Sequence, residues 1–246
     1  MPSAPEPTPV AIAPAQRRAS PTPARAAPAS VPAPAPARPA STPRPAAPRA
    51  PAARAVTAAT NAPGALGAVR DELGDCKRCR LHEGRKNIVF GVGNPSAELV
   101  LVGEAPGQQE DVTGEPFVGR SGQLLTRMLA ALGLERSDVY ICNVIKCRPP
   151  QNRDPMPDEI GQCSPFLHKQ ITAIQPRVIL TLGRFAGTNL LARPPGTNIG
   201  DMRRESGSFR DIPVVATYHP SYLLRTPIAK RAAWDDLLRV RELLGR

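Results

Sequence analysis

Aromatic side chains are scarce in this 246-residue chain, with one Trp, three Tyr and five Phe. None of them falls in residues 1–60, which also hold a single acid, Glu6, and almost no large apolar side chain. Such a stretch cannot bury enough surface to offset the entropy lost on ordering, so a disordered tail is expected over residues 1–65. What it does hold is 16 of the 31 prolines, much alanine and seven arginines, which give it +6 of the net charge of +11. Proline repeats such as PAPAPARP at 32–39 favour extended polyproline II segments of semi-rigid reach. Proline every few residues also forbids the amphipathic helix that an arginine-rich targeting peptide needs. No apolar run reaches the ~18 residues of a membrane span, and no apolar signal core follows the start. A soluble, cytoplasmic protein, neither secreted nor membrane-bound, is the expectation.

Cysteine is also limited: there are five, an odd number, which speaks against a disulfide framework and for metal or redox use. Four of them stand in an unusual order. Cys76 and Cys79 form a CxxC, and Cys147 and Cys163 follow far downstream with 15 residues between them. This set can hold either a structural zinc or a [4Fe–4S] cluster, and spacing alone does not separate the two. Cys142, inside an apolar run, reads as a small core residue.

Residues 66–246 suit one domain with a proper core. Its remaining positive charge suggests a polyanionic partner without identifying one. Four short apolar runs without clean alternation read as buried parallel strands: Leu99–Gly103, Val139–Ile145, Val178–Gly183 and Ile212–Tyr218. Helical patterns over Gly122–Leu132, Asp158–Ile174, Ala186–Leu191 and Ala232–Leu244 separate and follow them. Pro157 followed by Asp158 and Glu159 makes a good helix start, because proline gives up an amide that has no partner there and the acids complement the dipole. The expected fold is α/β, an open, mainly parallel four-stranded central sheet with helices on both faces. Ligands in such folds bind beyond the carboxyl ends of the strands. The ends here carry Glu104, Asn143 and His219, so three chemical groups converge on one rim.

Three long motifs, GEAPGQQEDVTGEPFVGRSGQLL (103–125), NVIKCRPPQNR (143–153) and HPSYLLR (219–225), together with the four cysteines, resemble the family 4 uracil-DNA glycosylases, the iron–sulfur branch of that superfamily. The resemblance covers roughly residues 70–245. GEAPG alone could be any strand-to-helix turn; its companions make the match specific. It implies a base-excision repair enzyme that flips uracil out of single- or double-stranded DNA and hydrolyses its N-glycosidic bond. It also tips Cys76, Cys79, Cys147 and Cys163 toward a [4Fe–4S] cluster with a structural task.

The same resemblance gives the site its roles. Phe117 is the plate on which the extruded base stacks, and a carboxamide such as Asn143 can donate to O4 and accept from N3–H at once. Glu104, Ala105 and Pro106 shape the pocket, with proline contributing shape only because it lacks an amide hydrogen. His219 donates toward uracil O2, where charge develops, and Glu104 orients the attacking water. Glu110 is weighed as a pocket wall that excludes the thymine methyl, against simple solvation. His82 and His168 read as surface or supporting groups. DNA contacts are expected from Arg120, Ser121, Lys146, Arg148, Asn152, Arg153, Ser221 and Arg225. Tyr222, Leu223 or Leu224 is weighed as a wedge into the gap left by the base, against the helix core that two adjacent leucines ordinarily supply. A monomer is expected at the nucleoid, with the tail adding affinity for DNA or for a repair or replication protein. Two rival readings remain. The chain has no inserted basic loop after KCRPPQNR, which counts against a covalent uracil-capturing relative, and its intact Glu104, Phe117, Asn143 and His219 count against a noncatalytic iron–sulfur DNA-binding module.

Overall fold

A computed structural model describes residues 62–205 and 207–246. Most of the expected tail lies outside the described residues, although Ala62 already opens a helix, four residues before the expected boundary. The elements in chain order are α1 (Ala62–Leu73), β1 (Val92–Gly93), β2 (Leu99–Gly103), α2 (Gln108–Thr113), α3 (Arg120–Ala131), β3 (Tyr140–Asn143) and α4 (Pro157–Ile174). After these come β4 (Val178–Leu182), α5 (Arg184–Leu190), α6 (Ile199–Arg204), β5 (Gly207–Phe209), β6 (Ile212–Thr217), α7 (Pro220–Arg225) and α8 (Lys230–Leu243).

The four expected strands are present and pair in parallel as β3-β2-β4-β6. Two short antiparallel strands extend the sheet to six, β1 beside β3 and β5 beside β6. Their two and three residues are too few for any apolar period to be read. The central strands are buried on both faces, which is why they read as continuous apolar runs. In β2, Val100 and Val102 face α1, α4 and α5, while Leu99 and Leu101 face α3 and α8. Full burial of each such side chain stabilises the fold by ~1.5–3 kcal/mol. No helix among the described residues is long and apolar enough to cross a membrane.

The connections create a crevice. The chain passes from β2 through α3 on one face to β3, then through α4 on the other face to β4, on the far side of β2. Such a switch opens a gap at the carboxyl ends of β2 and β4. Gly103 and Gly183 stand at those two ends.

Candidate active site

Gly103 is the point on which the site closes. A Cβ added there would overlap Asn143 Oδ1 and lie 2.5 Å from Phe117 Cζ. Only the bare backbone of glycine allows both side chains this close. Gly103 also pairs in register with Asn143, and Val144 N–H donates to its carbonyl at 2.9 Å. Asn143 is 1% exposed, and its Oδ1 has no hydrogen-bond partner among the described residues. A buried carboxamide oxygen without a partner costs free energy unless a ligand satisfies it.

Phe117 is held in an unfavourable backbone conformation, φ 56°, which costs an ordinary residue ~1–3 kcal/mol. Glu110 supplies the restraint, since its Oε1 accepts from the amides of both Val118 and Gly119 at 3.0 Å. The loop also folds onto Gly122, where any Cβ would collide with the Phe117 carbonyl. Glu110 therefore clamps the loop that carries Phe117, a task the sequence did not show.

His219 caps the N-terminus of α7 and packs beside the end of β4, where a Cβ on Gly183 would come 3.1 Å from its own Cβ. Its ring centroid lies 5.7 Å from that of Phe117. The Ser221 amide donates to His219 Nδ1 at 3.2 Å, and the Ser221 hydroxyl lies 2.7 Å from the same nitrogen. With Nδ1 accepting, the proton of the neutral ring belongs on Nε2. Burial, aided by the charge of Arg225, pulls the imidazole down to about 4, so it is neutral at physiological pH. Glu104 follows directly after β2 and is partly buried. Burial and then the negative charge of Asp154 push its carboxyl up to about 7, against an opposing pull from Arg184. Asp154 and Arg184 are themselves paired at 2.7 Å, tying the CRPPQNR loop to the start of α5. Ala105 is partly buried and Pro106 buried beside Glu104.

The four cysteines Cys76, Cys79, Cys147 and Cys163 line one pocket, together with Leu73, Arg85, Ile88 and Lys146. No three Cys, His, Asp or Glu side chains among the described residues converge on a point that would hold a single ion. Three of the four sulfurs accept N–H groups: Cys76 from Arg78 at 3.4 Å, Cys147 from Arg85 at 3.3 Å, and Cys163 from the Lys146 amide at 3.2 Å. Burial raises the thiols of Cys79 and Cys147 and carries Cys163 to about 11. A metal bound by these sulfurs would have to supply the free energy to deprotonate them. Arg85 also donates to the Cys76 carbonyl at 2.7 Å, which joins the CxxC segment to the Cys147 loop. Cys142 is fully buried in β3, outside this pocket.

The residues expected to meet DNA divide. Arg120 and Arg225 are exposed at the starts and ends of short helices, with Ser121 partly exposed beside the first. Arg148 Nε donates to Asn152 Oδ1 at 2.8 Å, and Gln151 and Asn152 both take left-handed backbone, so the loop carries a built turn. Arg153 is not the free phosphate ligand expected. Its two terminal nitrogens grip the fully buried Glu159 at 2.8 and 2.6 Å, and Glu159 in turn caps α4 through the Met156 amide. Ser221 is engaged by His219. Lys146 corrects the expectation most sharply: it is 0% exposed, and its ammonium donates to the Asn143 carbonyl and to Gln170 Oε1. Leu223, 1% exposed, is a core residue that cannot serve as a wedge, whereas Tyr222 is exposed and stacks on Tyr218. His168 bonds Asn189, and His82 lies 2.8 Å from the Cys79 carbonyl.

Some of this had a signal in the chain. Serine two residues after a helix-capping histidine is a local turn pattern, and Gln170 interrupts the apolar stripe Cys163-Phe166-Leu167-Ile171-Ile174. Arg85 had none, being 62 residues from the sulfur it meets.

The profile of the uracil DNA glycosylase superfamily matches residues 90–238. A type-4 uracil-DNA glycosylase of Archaeoglobus fulgidus is 44% identical over 194 residues, covering 74% of this chain and 94% of that protein. One of Thermotoga maritima is 46% identical, covering 72% and 94%. A type-5 uracil-DNA glycosylase of Pyrobaculum aerophilum is more distant, at 34% identity over 53% of this chain and 64% of its own length. The chain belongs to the uracil-DNA glycosylase superfamily, and within it groups with the type-4 enzymes.

Proposed function

We infer that this protein is a uracil-DNA glycosylase of base-excision repair, a hydrolase that removes uracil from DNA and leaves an abasic site. The observation that carries the reading is the junction over Gly103, where an unpartnered buried carboxamide, an aromatic plate and a neutral imidazole meet on one rim.

The substrate uracil leaves the base stack at a cost of a few kcal/mol, lowest where pairing is already poor. Phe117 offers it a π-face, worth ~1–3 kcal/mol. Asn143 reads its edge, and the buried oxygen gains its missing partner in N3–H. As the C1′–N1 bond lengthens, negative charge moves onto the base. His219, held neutral with its proton on Nε2, donates to uracil O2 and spreads that charge. Glu104 in its carboxylate form orients the attacking water and faces the cationic sugar. A carboxyl near 7 suits this task, since it is partly ionised at working pH and still basic enough to accept a proton.

Cys76, Cys79, Cys147 and Cys163 would hold a [4Fe–4S] cluster. What supports this is the single pocket that all four cysteines line, with amide and guanidinium donors to its sulfurs, in a chain that groups with the type-4 enzymes. Its contribution is structural, fixing the CRPPQNR loop against residues 76–85. The DNA face is read as Arg120, Ser121, Arg148, Asn152 and Arg225, with Tyr222 at the position of the wedge and phosphate contacts setting a salt-dependent affinity. The enzyme acts as a monomer in the cytoplasm at the nucleoid, and the +6 segment over residues 1–60 adds sequence-independent affinity for DNA.

The test is a single-stranded oligonucleotide with one uracil, incubated with the protein and then treated with alkali. Cleavage at the uracil position supports the reading. An intact strand rejects it, and a crosslinked band would reassign the chain to covalent capture. Visible absorption from a brown protein supports the cluster; a colourless protein with stoichiometric zinc rejects it.

A further inference from the structure

Lys146 is the largest fully buried side chain of the described residues. No carboxylate neutralises it among the ion pairs there; its ammonium is held by Asn143 O at 2.8 Å and Gln170 Oε1 at 2.6 Å. Gln170, also 0% exposed, is fixed in turn by donating to the Phe90 carbonyl at 2.9 Å and to Tyr140 Oη at 3.2 Å. The backbone of Lys146 is pinned as well, its amide on Cys163 Sγ and its carbonyl on the Val89 amide at 2.8 Å. A lysine buried with no carboxylate partner is expensive, and an apolar side chain of similar length would fill the same space without that cost. What Lys146 has and such a side chain lacks is the Nζ donor, and its two hydrogen bonds go to the Asn143 carbonyl and to Gln170.

What it holds is the carbonyl of Asn143, the last residue of β3, at the point where the chain leaves the sheet toward Cys147. The Asn143 Oδ1 has no partner of its own among the described residues, so its aim is inherited from the backbone beneath it. Rotating the 143–144 peptide would swing the carboxamide with it. Recognition of this kind tolerates displacements of only ~0.5 Å and ~10–20°. We propose that Lys146, braced by Gln170, is a positioning residue that fixes Asn143 for uracil, and that it makes no contact with DNA. This rests on the reading of Asn143 as the uracil-binding carboxamide. It also gives the cysteine pocket a route to base recognition, because one residue joins Cys163 to Asn143.

The test compares Lys146→Met, Gln170→Met and Gln170→Glu with the wild type, each as full-length protein whose folding is checked by thermal melt. Three quantities are read: single-turnover uracil excision, inhibition by free uracil, and salt-dependent binding to an oligonucleotide without uracil. Lys146→Met is expected to excise ~10–100-fold more slowly and to bind free uracil more weakly by a comparable factor. Its affinity for uracil-free DNA and its salt slope should match the wild type. Gln170→Met should shift the same two quantities, and Gln170→Glu, which keeps an acceptor for Lys146 but loses the donors to the Phe90 carbonyl and Tyr140 Oη, should recover uracil affinity only in part. A salt slope shallower by ~0.7 in Lys146→Met would make Lys146 a phosphate ligand and overturn the proposal. Unchanged uracil affinity in a folded variant would overturn it too, and if Lys146→Met does not fold, Gln170→Met decides by the same comparison. A wild type that excises no uracil would defeat the parent reading instead.

Discussion

Replacing Glu104 by glutamine is expected to slow the enzyme and to stabilise it, with the stabilisation appearing only as pH rises. The carboxyl is pushed from an ordinary 4.5 to about 7, first by burial and then by Asp154. The folded state therefore prefers the protonated acid. Below pH 4.5 both folded and unfolded chains carry that proton, and the glutamine variant should melt with the wild type. Above 7 the wild type must hold a carboxylate in an unfavourable place, at a cost of ~2–3 kcal/mol after allowing for its partial exposure. The variant escapes this cost. Its melting temperature should exceed the wild type's by about 5–10 °C at pH 8.5, with the difference shrinking steadily through pH 6 toward nothing near 4. The rate should fall by ~10²-fold or more, and the wild-type acid limb centred near 7 should flatten in the variant. Paired melts and single-turnover rates across pH 4–9 check both. A gain independent of pH, or a wild-type rate that stays level through 7, would refute the reasoning.

Other outcomes follow from the same geometry. His219→Ala should cost ~10²–10³-fold in excision yet leave the acid limb near 7 in place, because a group already neutral above about 4 does not titrate there; rates across pH decide. Gly103→Ala should abolish uracil binding, read as loss of inhibition by free uracil, since its Cβ would displace both Asn143 and Phe117. Tyr222→Ala should weaken single-strand binding by ~1–3 kcal/mol without lowering the melting point, whereas Leu223→Ala should lose ~2–5 kcal/mol of stability with little effect on DNA affinity per folded molecule.

The central sheet was legible because strands buried on both faces must be apolar throughout, and Leu99–Gly103 and Val178–Leu182 are. The positions of Glu104, Asn143 and His219 at or just past the carboxyl ends of β2, β3 and β6 were legible from the same apolar runs. Lys146 was misread for a physical reason. A lysine beside Arg148 and Arg153 looks like one of a row of surface charges, and only the folded chain shows Gln170 reaching it from α4. Arg153 looks like part of the same row, and although Glu159 is the helix-start acid that the sequence shows, only the folded chain shows it buried beneath Arg153. Contacts such as Arg85 to Cys147 span too much chain for any local pattern.

The central claim is that the pocket over Gly103 binds uracil and stabilises it as an anion. Titrating enzyme-bound uracil by ultraviolet absorbance measures this directly. The account predicts an N1 pKa for bound uracil below that of free uracil in the wild type, and a return toward the free value in His219→Ala. A bound uracil that titrates like the free base, or one whose lowered pKa survives the loss of His219, would contradict it.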